Sequence, residues 1–383
     1  MRTIRDIQFF ENIPVLVRAA LNVPVENGQV VNDYRLRRAV PTISYLRERG
    51  AKVILISHSG EQGTETLEPA ARALGKLIPG VSFFDETVGE RARKAVRDLS
   101  AGKVLVLENL RRNKGERTND RAFAQELAAL ADIFVEDSFD TCHRAHASII
   151  GVPEFLPSYA GLLLEEEVRE LSGALTPTRP SLAVIGGAKF NTKEEVLTML
   201  LTNYDHVFVG GALASDFLKA SGAEVGKSLI SNEPSNSLKK LLANPKLVLP
   251  VDFLVIPASA VGSMSARAEA HIAPVGQIHP DEIILDHGPG TSTLLANLAQ
   301  KAKTILWNGP LGNYEHGFID ATDAFARAVA ASSAHSVVGG GDTVAAIENL
   351  GLLPRFSFVS TGGGAMLDFL VKRTLPGIEA LGH

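Results

Sequence analysis

Gly339-Gly340-Gly341-Asp342-Thr343 follows the apolar run Ser336-Val337-Val338 and leads into an alanine-rich helical stretch, and this passage decides the fold. A second passage of the same kind runs from Phe356–Val359 through Gly362-Gly363-Gly364 into another helical stretch. Glycines at the carboxyl end of a buried strand let the backbone approach a ligand closely, and the helix that follows offers free N–H groups. Two such passages close in sequence predict one phosphate-rich ligand held from two sides. They are typical of an enzyme that uses a nucleotide.

The same alternation of short β-branched runs and longer amphipathic segments extends along nearly the whole chain. It predicts parallel sheets with helices on both faces and ligands at the carboxyl ends of the strands. The predicted strands lie at Val15–Val17, Val53–Ile56, Val104–Leu107, Leu182–Ile185, His206–Val209, Thr304–Trp307 and Ser336–Val338. The predicted helices include Leu67–Leu77, Asp120–Ala131, Thr192–Leu201 and Thr291–Lys301.

A chain of 383 residues is too long for one ordinary core, so two domains are expected. The best boundary is the segment Leu162–Leu175, which reads as one helix and stops before Pro177 and Pro180. We expect this helix to join two α/β lobes as a semi-rigid strut.

Composition excludes several classes of protein. The net charge of −5 argues against a nucleic-acid binder, and the near-neutral balance over residues 1–160 suits a small anionic ligand better. The single cysteine, Cys142, permits no intramolecular disulfide. The N-terminus lacks the apolar core of a signal peptide, and no apolar run approaches the roughly 20 residues of a membrane span. We therefore expect a cytoplasmic protein with no membrane partner.

The segment Gly186–Glu195 also passes from a strand through glycines into a helix. Thr192 and Glu195 have the spacing of a capping box, which would place Lys193 at the first helical position, where its charge adds to the helix dipole. Lys193 could then reach a transferring phosphate, although a glycine turn with a solvated lysine would give the same pattern. Gly222–Ser228 resembles a Walker A loop but has one residue too few and follows a helix, so we reject it.

Two carboxylates follow strands of the second half. Glu315 ends the turn after Trp307 and could accept hydrogen bonds from ribose hydroxyls, or it could be a surface residue. Asp342 could be a simple N-cap, but beside two phosphate sites it suits Mg²⁺.

The first half carries basic residues at loop-like positions, and together they predict a cradle for a small anion. Arg18 could instead be a paired structural arginine. Zinc is the alternative for His143 and His146, but no thiolate or third imidazole has matching spacing. Cys142 has no nearby base pattern and is expected to be an ordinary small residue. The basic residues are Arg18, Arg35, His58, Arg111, His143, Arg144 and His146.

Seven segments together resemble the phosphoglycerate kinase family in order and spacing along essentially the whole chain. They are Arg18–Pro24, Leu107–Arg111, His143–Ser148, Gly186–Lys189, Trp307–Gly312, Gly339–Thr343 and Ser360–Ala365. The resemblance implies an α/β fold of two Rossmann-like three-layer lobes with parallel sheets joined by an interdomain helix. It places the phosphoglycerate-binding lobe at residues 1–160, the helix and hinge at 161–178, the nucleotide-binding lobe at 179–370 and a tail that returns to the first lobe at 371–383.

The family's reaction moves the acyl phosphate of 1,3-bisphosphoglycerate to ADP, giving ATP and 3-phosphoglycerate, with Mg²⁺ as cofactor and with a monomeric enzyme as the expectation. Hinge closure would bring the reactants together. The resemblance implies catalytic roles for Arg35, Lys193, Gly341 and Gly364, and substrate contacts for Asn22, Arg35, His58, Arg111 and Arg144. It implies nucleotide contacts for Lys189, Lys193, Glu315, Gly340, Gly341, Asp342 and Thr343, with Asp342 also at the metal.

The chain departs from the family pattern mostly in the substrate half. Ala20 stands where the family has an aspartate, Glu61 where it has an arginine, and Asp140 where it has a glycine, while Glu136 adds a further carboxylate. Lost charge-assisted bonds could weaken phosphoglycerate binding by roughly 10²–10⁴-fold. Two alternatives follow: a paralogue that binds nucleotide without turnover and acts as a sensor or interaction protein, and a kinase for another acyl phosphate. In the nucleotide half, Ala212 and Asn313 are the departures.

Overall fold

The computed structural model describes residues 1–188, 190–231, 236–263 and 267–382. The chain divides into two compact units, the first made of Met1–Arg169 with Lys372–His383 and the second of Glu170–Val371. We call them the first unit and the second unit. Each is an α/β structure built on a six-stranded parallel sheet, so the predicted fold class is confirmed.

The sheet of the first unit has the strand order β5-β6-β4-β1-β7-β8. Because the central strand β1 pairs with β4 and β7, Arg18 lies opposite Ile56 and Glu136 in register. A two-stranded hairpin, β2 and β3, follows β1. The strands are β1 (Pro14–Ala19), β2 (Val25–Glu26), β3 (Gln29–Val30), β4 (Lys52–Ile56), β5 (Val81–Phe84), β6 (Val104–Leu107), β7 (Ile133–Asp137) and β8 (Ser158–Ala160). The helices are α1 (Tyr34–Arg47), α2 (Glu68–Leu77), α3 (Glu90–Asp98), α4 (Arg121–Ala128) and α5 (Leu162–Ala174), the last of which belongs to the second unit from Glu170 onward.

The sheet of the second unit has the order β11-β10-β9-β15-β16-β17, and a separate three-stranded antiparallel sheet has the order β13-β12-β14. The strands are β9 (Ser181–Ile185), β10 (His206–Val209), β11 (Leu247–Val248), β12 (Asp252–Pro257), β13 (His271–Pro274), β14 (Glu282–His287), β15 (Thr304–Asn308), β16 (His335–Gly339) and β17 (Phe358–Val359). The helices are α6 (Glu194–Asn203), α7 (Ala212–Ala220), α8 (Asn236–Leu242), α9 (Pro289–Lys301), α10 (Asp320–Ala331), α11 (Gly341–Asn349) and α12 (Gly364–Lys372).

Burial explains the strand sequences. Every residue of β9 and β15 is buried, since helices cover both faces of a parallel sheet, and these strands accordingly read as continuous apolar runs. The final helix α13 (Pro376–Ala380) belongs to the first unit, where the amide of Gly377 donates to the carbonyl of Cys142 at 2.9 Å.

Two predictions about local structure are wrong. The helix α6 begins at Glu194 with Lys193 as its N-cap, one residue later than the predicted capping box requires. The preceding residues, Phe190–Thr192, form a 3₁₀ turn instead of the start of the α-helix. The antiparallel sheet, in which β12 pairs with both β13 and β14, interrupts the βαβ succession and departs from the predicted parallel pattern.

Within the second unit, a buried tyrosine holds the end of α5. Tyr204 follows α6, and its hydroxyl donates to the carbonyl of Ala174 at 2.8 Å. Burial raises the pKa of this phenol, so it remains a donor at any working pH.

We expect Tyr204→Phe to destabilise the second unit by about 1–2 kcal/mol, because the carbonyl of Ala174 would lose its donor in a buried place. Urea denaturation measures the change. Tyr159→Phe, on a half-buried ring whose face meets Arg2, is the control, and an equal loss in both variants would contradict the anchoring role.

Candidate active site

The second unit has a cavity of about 240 Å³ at the carboxyl ends of its parallel strands. Its lining includes Gly187, Gly211, Leu311, Glu315 and Asp342. Several of these residues come from loops that directly follow strands β9, β10, β15 and β16, which is where ligands bind in open α/β sheets. The cavity is the candidate nucleotide site.

Close backbone packing brings the glycine loops together beneath the cavity. A Cβ atom on Gly186 would lie 2.1 Å from the carbonyl oxygen of Pro310, and one on Gly363 would lie 3.3 Å from the Cα atom of Gly340. Gly340 also has a φ of +104°, a conformation that favours glycine. The two glycine passages therefore meet, as predicted.

The first residues of α11 and α12 are the predicted phosphate-binding positions. Gly341 opens α11 after the N-cap Gly340, and Gly364 opens α12. A Cβ atom on either glycine would have no protein atom within 4 Å, which shows open space beside both helix starts. Free amides at helix N-termini beside open space can bind anions.

Lys193 lies beside the same loops. Its ammonium group donates to the carbonyl of Gly186, and a Cβ atom on Gly187 would come within 2.8 Å of Nζ. Burial lowers the pKa of Lys193 to about 8. The solvated-lysine alternative is thus excluded by its half-buried position. Lys189 lies outside the described residues.

Two carboxylates, Glu315 and Asp342, line the cavity, and a buried hydroxyl follows Asp342 in the sequence. Burial and, second, the charge of Glu315 raise the pKa of Asp342. Asp342 is the second residue of α11, so it is not the N-cap. Thr343 is fully buried, and its Oγ1 has no hydrogen-bond partner in the described part of the chain. Glu315 is exposed and lines the cavity.

His287 and Asp286 also line the cavity, and sequence reasoning missed both. The Nε2 atom of His287 accepts from the amide of Gly211 at 3.2 Å, and its ring packs between Phe208 and Phe253. Burial lowers the pKa of His287 to about 3, so the ring stays neutral and able to accept. Their only sequence signal is their position at the end of a strand.

The first unit collects most of the predicted basic residues around His58. Burial and then the charges of Arg18, Arg111, Arg144 and Arg35 lower the pKa of His58 well below its usual value. Such a concentration of positive charge around a buried imidazole is suited to binding an anion.

Backbone groups hold these side chains in place. Arg35 donates to the carbonyl of Asn22 at 2.8 Å, while the side chain of Asn22 accepts from the amide of Gly60 at 3.2 Å. Arg111 donates to the carbonyl of Gly60, and its buried Nε has no hydrogen-bond partner among the described residues. Burial and then the charge of Arg144 lower the pKa of Arg111 to about 10. Arg144 itself is exposed.

The unusual carboxylates take different positions. Asp140 lies 3.8 Å from Arg35 and accepts from the hydroxyl of Ser138 at 2.7 Å. Glu136 is fully buried, and burial raises its pKa well above the usual value. Glu61 is exposed, whereas Ala20 is buried. The inverted charge at position 61 therefore faces solvent.

The zinc alternative has no support in the structure. No group of three or more His, Cys, Asp or Glu side chains that could hold a metal ion occurs in the ranges described. Cys142 is buried, and burial raises the pKa of its thiol well above the usual value, as expected for a small core residue.

Among the helices of the described ranges, none has both the length and the apolar character that a membrane span requires.

Comparison with known proteins agrees with this arrangement. The profile described as phosphoglycerate kinase matches residues 4–373. The chain belongs to the phosphoglycerate kinase family. Phosphoglycerate kinase of Pelotomaculum thermopropionicum is 44% identical, with 99% of this chain and 98% of that protein covered. That of Roseiflexus castenholzii is 43% identical over the same shares of both chains.

Solved structures of the family resemble the chain as well. Phosphoglycerate kinase from Coxiella burnetii gives a TM-score of 0.83 at 40% identity and covers 99% of this chain and 98% of its own. The enzyme from Pyrococcus horikoshii gives 0.87 at 30% identity, covering 100% and 98%.

The amide of Gly364 can be tested without disturbing the helix. Gly364→Pro removes this N–H at the first helical position, where proline is tolerated, and we expect kcat to fall about 10-fold or more. Gly364→Ala keeps the N–H and adds a methyl group in open space. Equal kcat values in the two variants, at equal thermal stability, would contradict a role for the amide.

The lowered pKa of Lys193 predicts the pH dependence of nucleotide use. The ammonium form is lost as the pH rises through about 8, so kcat/KM for the nucleotide should fall across that range. Lys193→Arg, which stays charged, should abolish the fall. A wild-type profile that is flat through this range would contradict the assignment.

Proposed function

We propose that this chain is an ATP-dependent phosphotransferase that moves the acyl phosphate of 1,3-bisphosphoglycerate to ADP, reversibly, giving 3-phosphoglycerate and ATP. One observation carries the proposal. This chain of the family has a cavity lined in part by glycines in its second unit and an arginine cluster in its first unit. The first suits a nucleotide, and the second suits a small phosphorylated carboxylate.

We assign phosphoglycerate binding to the arginine cluster of the first unit. Arg35 and Arg111 supply forked donors, which match phosphate and carboxylate oxygens. The buried Nε of Arg111 offers a further donor that no protein group uses among the described residues. Asn22 holds the guanidinium of Arg35 through its carbonyl. Arg144 and His58 complete the set.

We assign the nucleotide to the cavity of the second unit. We assign ribose binding to Glu315, which lines the cavity, and phosphate binding to the helix start at Gly340–Thr343. Lys193 and Lys189 would neutralise phosphate charge. The amides of Gly341 and Gly364 would donate to the phosphoryl group as it transfers, when charge spreads over its oxygens.

The chemistry is a single in-line transfer. An oxygen of the β-phosphate of ADP forms a bond to phosphorus, and the bond between phosphorus and the carboxyl oxygen of phosphoglycerate breaks. The carboxylate leaves as an anion, so no proton transfer is needed at the reacting atoms. The residues of this chain therefore serve to position the reactants and to spread positive charge around them.

The residues fit a magnesium ion held between phosphates and Asp342. The Oγ1 atom of Thr343 is buried without a partner among the described residues, and the charge of a second carboxylate, Glu315, repels that of Asp342, which a cation would relieve. Mg²⁺ in such sites takes one or two carboxylates plus phosphate oxygens and neutralises the charge of the phosphates.

The family resemblance also supports proposing a cytoplasmic monomer, and light scattering after size exclusion measures the oligomeric state.

The test is ATP formation from 1,3-bisphosphoglycerate and ADP with Mg²⁺. We expect turnover by the unmodified chain and a change of less than about tenfold in KM for the double variant Ala20→Asp, Glu61→Arg, since Glu61 is exposed. No turnover in a folded chain that binds nucleotide, with activity restored in the double variant, would contradict the proposal and favour a paralogue without glycolytic turnover.

A pair of arginines on one helix provides a matched control. Arg35→Ala should lower kcat/KM about 100-fold, because charge-assisted bonds to substrate are lost. Arg37 lies on the same helix α1 and pairs with Asp33 on the surface, so Arg37→Ala should leave kcat/KM nearly unchanged. Similar effects of the two substitutions would contradict the role of Arg35.

A further inference from the structure

Arg18 is the most deeply buried arginine near the anion site, with 1% of its surface exposed. It lies on the central strand β1, where its Nη1 donates to the carbonyl of Ala19 at 3.0 Å and to the hydroxyl of Ser57 at 3.2 Å. Its other two nitrogens contact Ser148 and His58. A buried guanidinium in such a place needs a compensating charge.

Glu136 interacts electrostatically with Arg18, and a second carboxylate, Glu116, is linked to Arg18 through one hydroxyl. The Oγ atom of Ser148 donates to Glu116 Oε1 at 2.7 Å, so it must accept the proton of Arg18 Nε at 3.1 Å. The amide of Ser148 also donates to the other oxygen of Glu116, at 3.0 Å, and Glu116 is fully buried. These bonds join Glu116 to Arg18 through Ser148.

The same logic determines the tautomer of His58. Its Nδ1 atom lies 2.9 Å from Arg18 Nη2, and a guanidinium can only donate. Nδ1 therefore accepts, and the ring proton lies on Nε2. His58 then carries an N–H donor without a positive charge of its own.

We propose that Glu116 and Arg18 are positioning residues that hold His58 as the neutral Nε2–H tautomer, which donates one hydrogen bond to an anionic group of the substrate. This inference rests on the proposed function, because it assigns His58 to the phosphoglycerate site. Glu116 and Arg18 act through His58 rather than by contact with the substrate.

The charged surroundings of His58 predict that its protonation does not change near neutral pH. Arg18, Arg35, Arg111 and Arg144 oppose a positive charge on the ring. On the other side of Arg18, Glu136 and Asp140 lie close enough to interact with each other, and Glu136 also interacts with Arg18. An ordinary histidine titrates near pH 6.5, whereas burial and the surrounding arginines hold the pKa of His58 well below that value, so the ring should be neutral at neutral pH.

The first experiment is long-range ¹H–¹⁵N NMR on the full chain with labelled histidine, with His58 assigned from the spectrum of His58→Asn. We expect the Nε2–H tautomer with no titration around neutral pH. An Nδ1–H tautomer, or an imidazolium that titrates near pH 6.5, would overturn the proposal. This result does not depend on turnover, so it remains informative even where the proposed reaction is not observed.

The second experiment compares two buried serines. Ser148→Ala breaks the link between Glu116 and Arg18, and we expect KM for 3-phosphoglycerate to rise about 3- to 10-fold with kcat nearly unchanged. Ser158→Ala removes an equally buried hydroxyl that donates only to the carbonyl of Leu156. A KM in Ser148→Ala equal to that of Ser158→Ala, with an unaltered His58 spectrum, would also overturn the proposal.

Discussion

Backbone must pack against backbone at the carboxyl edge of the second sheet, because loops from several strands converge there around a small cavity. Gly186 meets Pro310 and Gly211 meets Gly187 at distances that leave no room for a Cβ atom, and a Cβ atom on Gly363 would make a tight contact with Gly340. This packing brings the starts of α11 and α12 together with free amides beside open space. Because the glycines at these positions have no side chain, backbone amides are left to form the candidate phosphate site.

In the first unit, buried charged side chains rather than glycines shape the candidate anion site. Arg18, Glu116 and Glu136 are all almost fully buried at or beside the parallel strands. Burial of a charge costs free energy unless hydrogen bonds satisfy it, and the serines 57 and 148 supply such bonds to Arg18 and Glu116. The rigid arrangement that results can hold His58 and the neighbouring arginines ready for an anion, which limits the loss of ordering entropy on binding.

The sequence allowed prediction of the parts that depend on local pattern. The continuous apolar strands and both glycine passages lie where expected, because β-branched runs and glycines act within a few residues. The start of α6 was predicted one residue too early, because a 3₁₀ turn at Phe190–Thr192 precedes the α-helix. The links from Arg18 to Ser148 and from His287 to Gly211 join residues 130 and 76 positions apart, and no local pattern reports them.

Hydrogen exchange with each ligand alone tests the account most directly. The account predicts that 3-phosphoglycerate slows exchange near residues 18–22, 58–60 and 143–148 of the first unit. It predicts that ADP with Mg²⁺ slows exchange near residues 186–193, 339–343 and 360–364 of the second unit. Protection of the same unit by both ligands, or no protection by 3-phosphoglycerate in a chain that binds ADP, would contradict the assignment of the two sites.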